Sequence, residues 1–271
     1  MAFKLKSLVV AGALLGSLVL AGCGQNEKDP KSVKVGVIVG AEQQVAEVAK
    51  KVAKDKYGLN VELVTFNDYV MPNEALSRGD IDLNAFQHKP YLDQQIKDRN
   101  YKLTTVGNTF VYPIAGYSKK IKSLDELQDG AQIALPNDPT NLGRSLLLLQ
   151  KQGLIKLKEG TGLLPTVLDV VENPKGLKLI ELEAPQLPRS LDDNKIDLAV
   201  INTTYASQIN LTPAKDGLFV EDKDSPYVNI IVSREDNKDS EAVKQFVQAY
   251  QSDEVFNEAD KAFNGGAVKG W

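Results

Sequence analysis

Residues 33–66 read VKVGVIVGAEQQVAEVAKKVAKDKYGLNVELVTF, and the order of patterns in this stretch decides the fold. An apolar, β-rich run closed by Gly40 predicts a strand. Residues 42–57 then place valine and alanine at helical spacing, and Gly58 is a helix stop signal. The stretch ends in a second apolar strand. A strand, a helix and a strand in this order predict a parallel sheet covered by helices.

The same order of elements recurs further along the chain. Residues 132–136 predict a strand, 142–150 an apolar helix and 177–182 another strand. We therefore expect a protein of the α/β class with two sheets. Residues 79–86 also resemble residues 194–201, each running from a polar turn into an apolar strand. Two related lobes would explain this similarity, but any two buried parallel strands would look alike.

The lobe boundaries are predicted where β-rich stretches are interrupted. Residues 109–117, broken by proline and glycine, are a candidate first crossover between lobes, and 219–232 are a candidate return. We expect lobe 1 to comprise residues 33–112 and 231–271, so that two C-terminal helices pack back on it. Lobe 2 is expected to comprise residues 113–230.

The N-terminus has the pattern of an exported lipoprotein. Lys4 and Lys6 precede an uncharged apolar run that is shorter than the roughly 20 residues a membrane span needs, which predicts a signal peptide over residues 1–22. The run ends in LAGC, a lipobox-like sequence, so we expect lipidation of Cys23 rather than a buried thiol or an ordinary signal peptide. Residues 23–32 are polar and lack apolar periodicity, which predicts a flexible tether.

Composition excludes several classes of function. Lys and Arg total 32 against 36 Asp and Glu, giving a net charge of -4, so a nucleic-acid partner is not expected. Cys23 is the only cysteine and His88 the only histidine, so no zinc cluster of these residues can form. No calcium loop, phosphate loop or dinucleotide glycine pattern is present. We therefore expect no metal, no cofactor and no catalytic residues.

One candidate binding wall follows a predicted strand that ends at Ala85. The next residues, FQHKPY, place Phe86, His88 and Tyr91 at the carboxyl end of that strand, where α/β sheets commonly bind ligands. Tyr69 follows the preceding strand and would complete an apolar, polarisable wall suited to a thioether. The alternative is a capped core histidine beside packing aromatics.

A candidate carboxylate site lies in residues 136–144, PNDPTNLGR, a loop opening into a helix. Free N–H groups at the helix start would meet Arg144 there. The alternative is that Asn137 or Thr140 only caps the helix and Arg144 lies on its solvated face.

Two further amides stand at strands that are otherwise apolar. Asn202 ends one of them, and Asn229 interrupts another. An unpaired buried polar group costs ~1 to 3 kcal/mol, so each needs a partner, either a ligand or neighbouring backbone.

Several motifs together resemble the MetQ/NlpA family, the methionine-binding lipoproteins of ABC transporters. They are the lipobox, KVGV (34–37), NAFQH (84–88), PNDPTN (136–141) and the ending FNGGAVKGW (263–271). Their order covers essentially the whole chain. The resemblance implies a periplasmic binding protein of the second type, with two α/β lobes joined by two crossover strands that close over one ligand.

The resemblance also implies roles for individual residues. The side-chain pocket would be lined by Tyr69, Phe86, His88 and Tyr91. Arg144, helped by Asn141, would hold the ligand carboxylate, while Asn202 and Asn229 would bond the backbone groups of the amino acid. These positions show no departure from the family pattern.

The implied ligand is L-methionine, with D-methionine a further candidate. The implied partner is a permease with ATPase subunits in the inner membrane. The implied location is the periplasmic face of that membrane, held by the lipid anchor. Gly24 follows the lipidated cysteine, and the rule that assigns inner-membrane retention requires Asp there, so inner against outer membrane stays open.

Three other interpretations remain at this point. The chain could bind another amino acid or a methionine derivative. It could be a lipid-anchored enzyme with His88 as a base, although the sequence nominates no nucleophile or carboxylate beside that residue. It could also be an adhesion or envelope-structural lipoprotein with an empty cleft.

Overall fold

The structure, a computed structural model, describes residues 29–222 and 224–271. The predicted signal peptide, Cys23 and the first residues of the predicted tether lie outside the described residues. The strands are β1 (Ser32–Ile38), β2 (Asn60–Phe66), β3 (Leu83–His88), β4 (Leu103–Val111), β5 (Ala115–Tyr117), β6 (Gln132–Pro136), β7 (Lys156–Leu157), β8 (Val170–Glu172), β9 (Lys178–Leu182), β10 (Leu198–Ile201), β11 (Phe219–Val220), β12 (Val228–Arg234) and β13 (Val268–Lys269). The α-helices are α1 (Ala41–Tyr57), α2 (Met71–Arg78), α3 (Lys89–Arg99), α4 (Pro139–Lys151), α5 (Leu187–Ser190), α6 (Thr203–Ala206), α7 (Pro213–Asp216), α8 (Glu241–Tyr250) and α9 (Asp253–Ala262).

The opening strand–helix–strand unit is confirmed. β1 and β2 are parallel neighbours, with Val35 opposite Leu63. Helix α1 ends at Tyr57, as predicted, because Gly58 adopts a left-handed conformation with φ of 67°. The backbone N–H of Gly58 donates to the carbonyl of Lys54 at 3.0 Å. The predicted apolar face of α1 is buried in the core.

A first sheet has the strand order β13-β4-β12-β3-β1-β2 in the described part of the chain. β1 is parallel to β2 and β3, whereas β12 is antiparallel to β3 and β4. Helices α1, α8 and α9 contribute to the core cluster on this sheet, with Val45, Phe246 and Val255 each 0 % exposed. The two C-terminal helices therefore pack back on the first sheet.

A second sheet has the order β11-β5-β10-β6-β9 among the described residues. β6 is parallel to β9 and β10, and β5 is antiparallel to β10 and β11. Its own apolar core includes α4 through Leu146 and Leu149. β10 thus lies between one parallel and one antiparallel neighbour, as β3 does in the first sheet. This equivalence favours the repeat interpretation of the similarity between the two stretches.

The chain crosses twice between the sheets. It leaves the first sheet after Val111 and enters the second at Ala115. It returns between Val220 and Val228. The expected lobe limit between positions 230 and 231 therefore falls within β12. The crossovers leave the carboxyl ends of β3 and β10 facing a common space, and this space contains the candidate site.

Candidate ligand-binding site

A cavity of about 350 Å³ lies between the sheets, at the carboxyl ends of β3 and β10 and beside the first turn of α4. All eight residues expected from the sequence line it: Tyr69, Phe86, His88, Tyr91, Asn141, Arg144, Asn202 and Asn229. Four lining residues were not nominated by the sequence, namely Gln87, Tyr112, Thr203 and Thr204.

The two lobes are closed over this cavity. Phe86 from the first sheet and Asn141 from α4 are 4 % and 2 % exposed. One apolar cluster joins both sides, with Ile38 and Phe86 from the first sheet packed in it together with Ala134 and Tyr205. A ligand in the cavity would therefore contact both lobes and be largely removed from water.

One wall of the cavity consists of aromatic rings. The rings of Tyr69 and Phe86 are stacked with centroids 5.8 Å apart, and Tyr91 meets Tyr69 edge-on at 6.1 Å. The hydroxyl of Tyr91 donates to the carbonyl of Tyr69 at 3.0 Å, which fixes the loop after β2 against α3. Tyr205, from α6, adds a ring at 5.0 Å from Tyr69. The wall is apolar and polarisable, as the sequence predicted.

His88 is both a helix cap and a residue of the cavity wall. Its Nδ1 accepts the N–H of Tyr91 at 3.1 Å, so the proton of the neutral ring is assigned to Nε2, which lies 3.2 Å from Oδ1 of Asn141. Burial, followed by the nearby charge of Arg144, lowers the pKa of His88 from 6.5 to about 3. The ring is therefore a neutral donor, and its basic nitrogen is already occupied. This arrangement does not favour the interpretation of His88 as a general base.

Arg144 is buried, not on a solvated face, and it has a partner that the sequence did not reveal. Its Nε donates to Oε1 of Glu221 at 2.8 Å, and Nη2 pairs with the second oxygen of the same carboxylate. Nη2 also donates to the carbonyl of Tyr112 at 3.1 Å, and the guanidinium lies 4.4 Å from the ring centre of Tyr227. Nη1 makes no hydrogen bond to the described residues.

The start of α4 is capped by Asp138, not by Asn137 or Thr140. The Asp138 carboxylate accepts the backbone N–H of Asn141 at 2.9 Å and also the Asn141 side-chain amide at 2.9 Å. Pro139 occupies the first turn, where its missing N–H costs nothing. This cap starts the helix earlier than the apolar pattern predicted.

The amide of Asn141 is fully engaged by protein groups. Its Oδ1 lies 3.2 Å from Nε2 of His88 and accepts Nδ2 of Asn202 at 2.9 Å. Its Nδ2 is held by Asp138. Asn141 therefore orients two cavity residues that come from different sheets. The sequence predicted it beside the ligand carboxylate but gave no indication of this orienting contact.

Asn202 and Asn229 present different groups to the cavity. Oδ1 of Asn202 is buried and has no hydrogen-bond partner among the described residues. Nδ2 of Asn229 donates to the carbonyl of Phe86 at 3.1 Å, so backbone satisfies part of this amide. An orphaned buried oxygen in a polar cavity is an acceptor in position for a donor group of a ligand.

The residues that sequence analysis missed come from several parts of the chain: Gln87 lies within β3, and Tyr112 directly follows β4. Glu221 follows β11, and Thr203 and Thr204 open α6 directly after Asn202. The run NTTY after an apolar strand was a usable signal for the two threonines. Glu221 had no such signal, because its stretch reads as an ordinary polar loop.

A profile of the NlpA lipoprotein family matches residues 33–271 of the chain. The chain belongs to the NlpA lipoprotein family. The D-methionine-binding lipoprotein MetQ of Escherichia coli K12 is 83% identical to it over 271 residues, which are 100% of both chains. A crystal structure of the methionine binding protein MetQ superposes with a TM-score of 0.89 at 85% identity, covering 90% of this chain and 99% of that one.

A second similar solved structure is that of a nutrient binding protein from Burkholderia cenocepacia bound to methionine. Its TM-score is 0.86 at 53% identity, and the match covers 88% of this chain and 100% of that chain. These superpositions confirm the predicted fold, the two α/β lobes of a type II periplasmic binding protein. The named relatives are binding proteins, so membership of the NlpA family supports a binding role and not catalysis.

Two features are absent from residues 29–222 and 224–271, the part of the chain that the structure describes. Within these ranges, no helix is long and apolar enough to cross a membrane. Within the same ranges, no group of three His, Cys, Asp or Glu side chains is placed to hold a metal ion.

Proposed function

We propose that this protein is the substrate-binding lipoprotein of an ABC importer and that it captures methionine in the cavity between its lobes. The main support for the proposal is that two polar groups without a hydrogen-bond partner among the described residues belong to residues that line the same closed cavity. Arg144 offers a free Nη1, and Asn202 offers an orphaned buried Oδ1. A zwitterionic amino acid supplies the matching carboxylate and ammonium groups.

The proposed orientation follows from the positions of these groups. The ligand carboxylate binds Arg144, and the ammonium group donates to Asn202, with Asn229 beside it. The side chain then lies against Tyr69, Phe86 and Tyr91, where sulfur–aromatic contacts contribute ~0.3 to 1.5 kcal/mol. His88 completes the pocket as a neutral donor. The names of the methionine-binding relatives support this choice of ligand.

The buried Arg144–Glu221 pair is consistent with a zwitterion as the ligand. Because Glu221 already balances the charge of Arg144, the cavity does not present a bare cation that would favour any anion. A ligand that brings both a carboxylate and an ammonium group leaves the cavity close to neutral, which limits the desolvation cost of binding.

We further propose that ligand capture depends on the opening and closing of the two lobes. Residues 33–112 and 231–271 form one lobe around the first sheet, and residues 113–230 form the other. The last three residues of the second range, from Val228 onward, already belong to β12 of the first sheet. Ligand contacts from both lobes exist together only in the closed state, so binding shifts the open–closed equilibrium toward closure. A permease with ATPase subunits would then accept the closed form. Lipidation of Cys23 would hold the protein at the periplasmic face of the inner membrane, and three acyl chains exceed the two lipid signals that stable anchoring needs.

Calorimetric titration of ligand-stripped protein tests the proposal. L-methionine, D-methionine, leucine and glutamine are titrated separately at one pH. We expect the methionine isomers to bind most tightly, since only they combine the zwitterion with a thioether. If leucine bound more tightly than methionine, the proposed ligand would be wrong, but the assignment as an amino-acid-binding protein would stand. The absence of heat with all four ligands would refute the proposed function.

A further inference from the structure

A buried carboxylic acid connects the two lobes beside the proposed binding cavity. Glu42 lies in the first turn of α1, in the first lobe, and is 1 % exposed. The hydroxyl of Thr204, on α6 of the other lobe, donates to its Oε1 at 2.7 Å. Thr204 also lines the cavity. We call this contact the Glu42–Thr204 bridge.

The bridge is the buried member of a set of contacts that α6 and the turn after it make with the start of α1 and with the residues that follow β1 and β2. Tyr205 donates to the carbonyl of Asn67 at 3.3 Å, and Gln208 donates to the carbonyl of Val39 at 3.0 Å. All of these contacts join the two lobes, so all are lost when the lobes separate. The Glu42–Thr204 bridge differs from the others because it contains an ionisable group.

The surroundings of Glu42 accommodate a neutral acid better than a carboxylate. Its Oε2 is buried without a partner, and no Lys, Arg or His pairs with the carboxyl among the described residues. An unpaired buried charge costs several kcal/mol, whereas a protonated carboxyl avoids most of that cost.

The titratable groups that face Glu42 are tyrosines. They are Tyr69 after β2, Tyr112 after β4, Tyr205 of α6 and Tyr250 of α8. Burial raises the pKa of each above its ordinary value, so all four are neutral. Glu258 and Lys261 of α9 line the outer groove beside Ala41, and their side chains are solvent-exposed to 25% and 80%. No charge packed against Glu42 from these elements compensates an anion.

We propose that Glu42 is a positioning residue for ligand capture, which in its protonated form holds Thr204 across the closed cleft, so that closing over the ligand takes up a proton. The inference rests on the proposed function, because it identifies the closed state with the ligand-bound receptor. Opening separates Thr204 from Glu42 and admits water to the carboxyl from the cleft, and the acid then ionises.

The sign of the effect follows from the pKa of Glu42. Burial raises this pKa from 4.5 to about 8 in the closed state, and the Thr204 hydrogen bond opposes the rise. The start of α1 also favours the anion, but a helix N-terminus contributes only ~0.3 to 1 kcal/mol, less than one pH unit. The contribution of Glu42 to closure is therefore complete below pH 4.5 and is lost progressively as the pH rises from 4.5 to about 8.

His88 titrates with the opposite sign, and the test must separate the two groups. Its pKa is lowered from 6.5 to about 3 in the closed cavity, so closing releases a proton below pH 6.5. With ordinary values in the open state, the balance is an uptake of about 0.7 proton at pH 7.5 and close to none at pH 5.5. Without the Glu42 carboxyl, binding would instead release roughly 0.9 proton at pH 5.5.

The experiment is methionine titration by calorimetry in phosphate and in Tris at pH 7.5, with a further pair of buffers at pH 5.5. The dependence of the heat on buffer ionisation enthalpy gives the number of protons taken up. Wild type is compared with Glu42→Gln, which keeps an acceptor for Thr204, and with Glu47→Gln, the same change at an exposed position of α1. We expect uptake near 0.7 at pH 7.5 in wild type and Glu47→Gln. In Glu42→Gln we expect the proton uptake at pH 7.5 to disappear and roughly 0.9 proton to be released at pH 5.5.

The outcomes distinguish this inference from the proposed function. Methionine heat that does not depend on the buffer at pH 7.5 in wild type would overturn the inference and leave the receptor assignment intact. Proton uptake that persists in Glu42→Gln would assign the proton to another group and overturn it equally. No methionine heat in wild type would refute the proposed function, and the inference would fall with it. If Glu42→Gln does not fold, the wild-type profile decides, since only the proposed pair of groups gives uptake near pH 7.5 that vanishes near pH 5.5.

Discussion

Replacing Arg144 by alanine is the perturbation with the largest effect on ligand capture. Among the described residues that line the cavity, Arg144 has the only guanidinium. The change removes it and leaves Glu221, whose side chain is 13% exposed, without its partner. Truncating one partner of a buried, hydrogen-bonded charge pair costs ~2 to 5 kcal/mol. We therefore expect methionine affinity to fall by about 30-fold to several thousand-fold. Calorimetric titration measures this, and thermal unfolding of the ligand-free variant reports the separate effect on stability.

A second variant tests whether Glu221 is the reason for part of this loss. Without Arg144, the Glu221 carboxylate repels the ligand carboxylate, and Glu221→Gln removes that charge. The double variant should therefore bind methionine more tightly than Arg144→Ala alone, which is a coupling between neighbouring residues. Arg189→Ala changes an exposed arginine of α5 and serves as the control. An affinity of Arg144→Ala within twofold of wild type would refute the reasoning.

Three further changes test other parts of the structure. Asn202→Ala removes the acceptor proposed for the ammonium group. Because hydrogen bonds to charged groups contribute ~1.5 to 3 kcal/mol, calorimetry should show methionine binding roughly 10- to 150-fold weaker. An unchanged affinity would mean that the ammonium group binds elsewhere. Gly143→Ala would put a Cβ 2.4 Å from the carbonyl oxygen of Leu163, so we expect a lower melting temperature by scanning calorimetry, and an unchanged one would mean that the 163–165 loop yields freely. Cys23→Ala should move the protein from the membrane fraction to the soluble periplasmic fraction; retention in membranes would contradict anchoring through that residue.

Local patterns were sufficient to predict the elements that build the two sheets. Apolar periodicity located α1, and Gly58 marked its end, because these signals depend on residues close in sequence. The boundaries of α4 were less well predicted, since its start is set by the Asp138 cap and not by an apolar residue. A cap can be predicted from sequence only when one candidate side chain is clearly preferred. Here Asn137, Asp138 and Thr140 were all possible caps.

The membership of the site could also be predicted in large part, for a physical reason. Carboxyl ends of parallel strands meet at one edge of a sheet, so polar and aromatic residues that follow successive strands converge. Phe86 and His88 at the end of β3 and Asn202 directly after β10 illustrate this. The sequence therefore identified which residues line the cavity, although their ligand roles remain predictions.

Only the tertiary structure decided how those residues are paired. Arg144 and Glu221 are 77 positions apart, and Glu42 and Thr204 are 162 apart, so no local pattern connects them. Arg144 of α4 meets Glu221 after β11 within one lobe, whereas Glu42 of α1 meets Thr204 of α6 across the two lobes. The protonation state of Glu42 depends on its burial in the closed molecule. Secondary structure and strand-end chemistry are local properties, which the order of residues determines. Pair geometry and protonation are properties of the packed molecule.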